Sequence, residues 1–304
     1  MINGLLALYH RNSTFRMNRL LLICCCIWLL PGCNIFNKKE QVPTYLHLEP
    51  FVFLNPDSNF TGSSSHNIPS VWVYCEGQPV GVFDLPCTVP VLISKTSKLS
   101  LFPAVTNQGL RSYVFQYPFY TTDTVNLAFD PGKVQDYTPK TRYAADLTAS
   151  SFRVKVNFEE GPEFDKLSGD TTLFVEKSAD KVFEGTGSGA IYLDQTHKSS
   201  ENKSRSYFGL PSGYCYLELD YRATVPFQVG LRGELEDGSH YEEYLAGFNP
   251  NGQWTKIYVD LATFTNNNKK YTKFYLTLRS SLDDFNGKYK DGYVLFDNIK
   301  VISR

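Results

Sequence analysis

The chain has no apolar run long enough to cross a bilayer. A membrane-spanning helix needs about 20 apolar residues, and the run Leu20–Leu30 holds 11. Nor is there an excess of basic charge: 30 Lys and Arg stand against 31 Asp and Glu, a net of −1. A nucleic-acid partner would want a basic stripe, so that class is excluded. There is no Gly-x-Ser-x-Gly elbow, no phosphate-binding loop and no dinucleotide fingerprint. The five histidines, at 10, 47, 66, 197 and 240, form no i,i+4 pair and have no carboxylate at metal spacing. They read as surface or structural residues. Methionine is nearly missing, with Met1 and Met17 the only two.

Too short to span, Leu20–Leu30 fits the apolar core of a secretory signal, with Arg16 and Arg19 as its positive flank. Met17 is then the expected true start. Leu30-Pro31-Gly32-Cys33 resembles the bacterial lipoprotein cleavage box. In that box cleavage follows the small residue and the cysteine sulfur carries a diacylglycerol. The resemblance implies a cleaved signal peptide over 1–32, lipidation at Cys33 and a tether over 33–43. Each buried methylene contributes about 0.8 kcal/mol, so one acyl chain binds marginally and two hold stably. Asn34 follows the cysteine where an aspartate would, by the same resemblance, favour inner-membrane retention. The expected location is the cell envelope, as an outer-membrane lipoprotein, with the face of that membrane left open.

Residues 1–32 carry Arg11, Arg16 and Arg19 and no acid, which leaves the mature chain 27 basic and 31 acidic side chains. Its cysteines, Cys33, Cys75, Cys87 and Cys215, fit no zinc spacing. A hairpin turning at Glu76-Gly77-Gln78-Pro79 puts Cys75 beside the turn and Cys87 past the far end. That is beyond the roughly 7 Å Cα separation a disulfide tolerates, so both read as small buried thiols. Aromatic residues make up 15% of the chain and fall in short runs, which predicts strands. The length after the signal suits about two domains.

The first domain is expected over 44–135. Val71, Val73 and Cys75 alternate with Trp72 and Tyr74, the period of a strand. Glu76-Gly77 is a turn signal, and Val80–Asp84 returns. Leu99–Phe102, Tyr113–Phe119 and Thr124–Phe129 add strands, while Pro86, Pro90 and Pro103 break helices. Trp72 is read as packed, with an exposed recognition aromatic as the alternative. The line Val73-Tyr74-Cys75-Glu76-Gly77 with Pro79-Val80-Gly81 resembles PEGA and carboxypeptidase-regulatory-like β-sandwich modules, over about 25 residues. Those modules are spacers or binding platforms. Residues 136–151 read as a linker.

The second domain is expected over 152–304. Nine strand candidates run from Phe152–Phe158 to Tyr293–Ile302, with turn signals at Glu160-Gly161-Pro162, Asp237-Gly238 and Asn251-Gly252. Four motifs in order, Asn157–Gly161, Glu184–Leu193, Gln253–Leu261 and Val294–Val301, resemble galactose-binding-like and carbohydrate-binding-module jelly rolls. The resemblance implies first and last strands lying close, a packed Trp254, and a structural calcium shared by Glu159 and Asp297 with carbonyls of the 185–189 loop. The competing reading pairs Glu159 with a lysine and Asp297 with local backbone amides. No cofactor is otherwise required.

Aromatic platforms for a glycan are candidates at Tyr207 with Phe208, Tyr241 with Tyr244, Phe248, and Phe285 with Tyr289. Glu218-Leu219-Asp220 is similar to part of the Glu-x-Asp-x-(x)-Glu centre of one jelly-roll glycosidase family, but the third carboxylate is missing. Retaining hydrolysis needs two carboxylates about 5 Å apart, so no catalytic residue is assigned.

The expectation is an all-β chain of two β-sandwich domains, the C-terminal one a jelly roll, behind a cleaved lipoprotein signal peptide. It is expected to bind a glycan, or a partner protein of an outer-membrane assembly, without catalysis. A purely structural accessory subunit of an uptake or export complex is the alternative, and a glycoside hydrolase with an unrecognised site the second.

Overall fold

The computed structural model describes residues 42–54, 58–92, 95–211 and 213–304. Cys33 and the expected signal peptide fall outside the described residues. Among the described residues no helix is long and apolar enough to cross a membrane. The fold is all-β, and residues Thr44–Arg304 form one compact unit of two lobes.

The first lobe carries ten strands: β1 (Thr44–Leu48), β2 (Val52–Phe53), β3 (Ser70–Cys75), β4 (Gln78–Asp84) and β5 (Cys87–Val91), then β6 (Ser97–Thr106), β7 (Val114–Gln116), β8 (Asp123–Leu127), β9 (Val134–Tyr137) and β10 (Lys140–Thr141). Glu76 and Gly77 both take positive φ, 50° and 77°, which joins β3 to β4 by the expected tight turn. The resulting sheet runs β4-β3-β6-β7, with β8 also on β6. A second sheet runs β5-β1-β9, where β1 and β9 are parallel. The segment expected as a linker therefore contributes strand: β9 pairs with β1, and β10 with β2. Trp72 lies half-buried on the sheet face opposite Val71 and Val73, with its indole N–H buried and unpartnered among the described residues. Cys75 and Cys87 are free thiols on separate strands.

The second lobe carries eleven strands: β11 (Phe152–Val156), β12 (Phe164–Gly169), β13 (Phe174–Glu176), β14 (Ser188–Leu193) and β15 (Ser199–Phe208), then β16 (Cys215–Ala223), β17 (Phe227–Glu234), β18 (His240–Phe248), β19 (Asn251–Asp260), β20 (Lys273–Ser281) and β21 (Gly292–Ser303). One sheet runs β13-β14-β21-β16-β19 with β11 on β21, so the first and last strands are neighbours. The other runs β12-β15-β20-β17-β18. Leu217, Leu219, Ile257, Val259, Val294 and Phe296 face Val229, Leu231, Leu276 and Leu278 across the sandwich. A short helix, α1 (Ala262–Asn267), follows β19 and buries Phe264.

The alternate residues of the six-stranded sheet point the other way, and half of that outer face is not solvent-facing. Tyr216, Tyr258, Ile302 and Phe152 join Leu46, Val71, Leu101 and Phe119 in the first lobe's own core. The first lobe thus closes its sandwich against the second. Trp254 belongs to the same outer face and packs half-buried on Phe183, 5.1 Å between rings, rather than between the sheets as expected.

Candidate functional site

Glu218 and Asp220 do share one strand face, and that face is sealed by the first lobe. They are 0% and 1% exposed. Tyr117 and Tyr143 donate to the two oxygens of Glu218, each at 2.8 Å. Asp220 accepts Ser65 Oγ at 2.7 Å and lies 3.2 Å from Lys256 Nζ. Lys300 donates to the Ser63 carbonyl at 2.7 Å and to Tyr143 at 3.2 Å. Burial, and then the Glu218 charge, push the phenols of Tyr117, Tyr120 and Tyr143 well above their ordinary range. Burial pulls Lys300 down to about 8. Each charge has its partner, as buried ions must. Glu218 and Asp220, left without a catalytic role by the sequence, join the lobes.

The residues expected to hold calcium meet one loop but from the wrong donor side. Glu159 accepts N–H from Thr186 at 2.8 Å and from Gly187 at 3.3 Å, and the Thr186 hydroxyl at 2.5 Å. Asp297 accepts the Ser188 hydroxyl at 2.7 Å and the amides of Asn298 at 2.8 Å and Glu184 at 3.3 Å. Calcium is held by oxygen ligands, several of them carbonyls, whereas here N–H and O–H groups occupy the carboxylates. That donor set does not fit a calcium shell. Among the described residues no group of three His, Cys, Asp or Glu side chains is placed to hold a metal. The loop's glycines serve close approach: a Cβ on Gly189 would lie 2.4 Å from Phe158 Cζ.

The seven aromatic candidates separate. Phe208 stacks on Phe274 and Phe248 on Phe227; both are buried core residues, because β15 and β18 turn those positions inward. Tyr241 stacks on Phe264 of α1, 6.0 Å between rings, at the sandwich edge. Phe285 and Tyr289 contact each other edge-on in the connection after β20. Tyr207 and Tyr244 remain, and both belong to the outer face of the five-stranded sheet, on β15 and β18.

That face is built in rungs. Glu201, Arg279 and Gln228 lie opposite one another on β15, β20 and β17. Lys203, Thr277, Gly230 and Tyr244 form the next rung, and Tyr207, Tyr275, Arg232 and Glu242 the third. Gly230 lets its neighbours close in: a Cβ there would lie 2.4 Å from the Glu243 carbonyl, 2.7 Å from Thr277 Oγ1 and 3.0 Å from the Tyr244 ring. The Thr277 hydroxyl is buried without a partner among the described residues. Tyr207 is 51% exposed and its ring centre is 5.6 Å from that of Tyr275. Lys203 Nζ sits 4.1 Å over the Tyr275 ring and 3.0 Å from Glu234.

Polar groups fix these rings. The Tyr244 hydroxyl is in hydrogen-bond contact with Glu201 and, at 3.0 Å, with Glu242. Burial and then the Glu201 hydrogen bond raise its phenol far above the ordinary range, so it stays protonated. Arg279 meets Asp284 through both terminal nitrogens, at 2.5 and 3.1 Å, and donates to Gln228 at 2.6 Å. Burial acts to raise Glu234, but hydrogen bonds from Lys203 and Arg232 outweigh it and hold the carboxyl below its usual value. The face offers flat rings beside fixed donors and acceptors. Tyr275, Arg279, Gln228 and Arg232 were not singled out from sequence. Their signal was there: Lys273-x-Tyr275-x-Thr277-x-Arg279 and Gln228-x-Gly230-x-Arg232-x-Glu234 each carry polar residues at alternate positions.

Several solved structures share similarity with this chain. The carbohydrate-binding module TmCBM61, in complex with β-1,4-galactotriose, is 13% identical over 49% of this chain and 94% of its own, with TM-score 0.34. The C-terminal family 22 carbohydrate-binding module of Clostridium thermocellum Xyn10B is 11% identical over 52% and 97%, with TM-score 0.35. A β-sandwich carbohydrate-binding module described for promiscuous specificity is 16% identical over 77% and 84%, with TM-score 0.36. No family model matches the sequence, and no curated protein matches it.

Proposed function

We propose that the chain is a non-catalytic glycan-binding protein, and that the glycan lies across the outer face of the five-stranded sheet. One observation carries this reading: Tyr207, Tyr275 and Tyr244 share that face with Glu201, Gln228, Arg232 and Arg279, each polar group already held in place. Sugar rings present C–H faces that pack on aromatic planes, and hydroxyls that bridge amide, guanidinium and carboxylate groups. Side chains fixed before binding lose little rotamer freedom on contact.

The anchor belongs to the same reading. A diacylated Cys33 would hold this face outside the cytoplasm, on the outer membrane. Its support is the sequence from Arg19 to Cys33. Intact mass of the membrane-extracted protein tests it: cleavage before Cys33 with an added diacylglycerol is expected, and an unmodified full-length chain overturns it. A glycan array probed with the chain tests the ligand. Retention of one or more oligosaccharides is expected. An empty array, with one stoichiometric membrane protein recovered by pull-down, would favour the structural-accessory alternative. Hydrolysis of a retained glycan, lost in Glu201→Gln, would replace the binding reading with an enzymatic one.

A further inference from the structure

A cleft of about 550 Å³ opens where the lobes meet, away from the tyrosine face. The first lobe contributes the turn after β6, and the second the turn between β18 and β19. The two are fixed to each other. Gln108 N–H donates to the Tyr258 carbonyl at 2.8 Å, Gln108 Nε2 to the Leu245 carbonyl at 3.2 Å, and Asp260 N–H to Asn107 Oδ1 at 3.1 Å. The volume is in the range of small-ligand sites, about 300–1,000 Å³.

The lining has an unusual balance. It contains four carboxamides, Asn67, Gln108, Asn249 and Asn251, and no carboxylate. Three of the amides are half-used. Asn67 donates to the Lys256 carbonyl at 3.0 Å, Gln108 donates as above, and Asn251 accepts Gln253 N–H at 3.1 Å. Each is therefore held in orientation, and among the described residues its other amide atom is unspent. Two cations line the cleft. The Lys256 ammonium is turned to Asp220, 3.2 Å away. Arg111 is exposed, and among the described residues its guanidinium has no ion-pair or hydrogen-bond partner. On a chain with net negative charge, one unpaired guanidinium in the same cleft as three oriented amides favours a ligand with one carboxylate and several hydroxyls.

We propose that this inter-lobe cleft binds an acidic sugar unit, its carboxylate on Arg111 and its hydroxyls on the amides of Asn67, Gln108, Asn249 and Asn251. The cleft shares no lining residue with the tyrosine face, so either site can fail without the other.

Calorimetric titration of the full chain with trigalacturonate is the test, alongside Arg111→Ala. Arg111 is exposed, and matching thermal melts will show that Arg111→Ala is folded. The wild type is expected to bind, and Arg111→Ala at least tenfold more weakly. Binding by the wild type should also weaken between 50 and 500 mM salt, as a screened ion pair must. No binding of trigalacturonate by the wild type, or equal binding by Arg111→Ala, which would put the sugar on the tyrosine face instead, would each overturn the assignment.

Discussion

Tyr143 donates its hydroxyl to Glu218 at 2.8 Å, across 75 positions of the chain and from one lobe to the other. With Tyr117 on the second oxygen, each oxygen of the carboxylate accepts one hydrogen bond from the first lobe. Replacing Tyr143 with Phe leaves one Glu218 oxygen and Lys300 each short of a partner. A loss of about 1–3 kcal/mol in urea unfolding is expected. Because Tyr117 and Tyr143 grip the same carboxylate, the two Phe variants should not be additive. The shared core also predicts a single calorimetric transition for both lobes. Two resolved transitions would contradict the interlobe account.

Asp297 gives stability a pH dependence of known sign. Burial lifts its carboxyl to about 7 despite its hydrogen bonds to Ser188, Asn298 and Glu184. In the unfolded chain it titrates near ~3.9. Between those values the folded protein binds more protons than the unfolded one, so stability falls as pH rises. The contribution is fully present below about 4 and lost above about 7. Asp297→Asn removes this titration. The unfolding free energy of wild type minus variant should drop by on the order of 2–4 kcal/mol between pH 4 and pH 8. A difference flat across that range would contradict it.

Hydrogen bonds to Glu159 and Asp297 hold the loop over Glu184–Gly189, and we propose that it needs no metal. A chelator should therefore move the melting temperature by less than about 1 °C, and added calcium should do no more. A calcium-dependent rise of several degrees would restore the metal. Gly189→Ala, which drives a Cβ against Phe158, is expected to cost about 1–3 kcal/mol whether or not calcium is present.

Much of the second lobe was legible. Its nine expected strands all form, because alternating apolar residues in Tyr214–Tyr221 or Trp254–Asp260 have one period and one hydrophobic side. β12 and β15 were not read, since Ser199–Phe208 is mostly polar. Its inward positions Ser200, Asn202 and Ser204 are buried through local hydrogen bonds: Asn202 accepts Leu173 N–H at 3.0 Å and donates to Ser200 at 2.8 Å. Propensity has no signal for a polar strand satisfied this way. What covers the face carrying Glu218 and Asp220 stays open on alternation alone, because a period of two cannot tell solvent from a second lobe. The tyrosine face needed register: nothing local places Tyr207 opposite Tyr275 or Glu201 opposite Arg279.

Tyr244 positions two carboxylates on the binding face. Tyr244→Phe should keep the fold and free Glu201 and Glu242 to shift. Glycan affinity is expected to fall about tenfold, near 1.4 kcal/mol. Unchanged affinity would take Tyr244 out of the site.

The most direct measurement is glycan-array binding of the chain beside its Tyr207→Ala/Tyr275→Ala double variant, with melting curves showing both folded. The tyrosine-face account predicts that oligosaccharides retained by the wild type are released by the double variant, at least thirtyfold in dissociation constant, about 2 kcal/mol. Equal retention by the two proteins would contradict it.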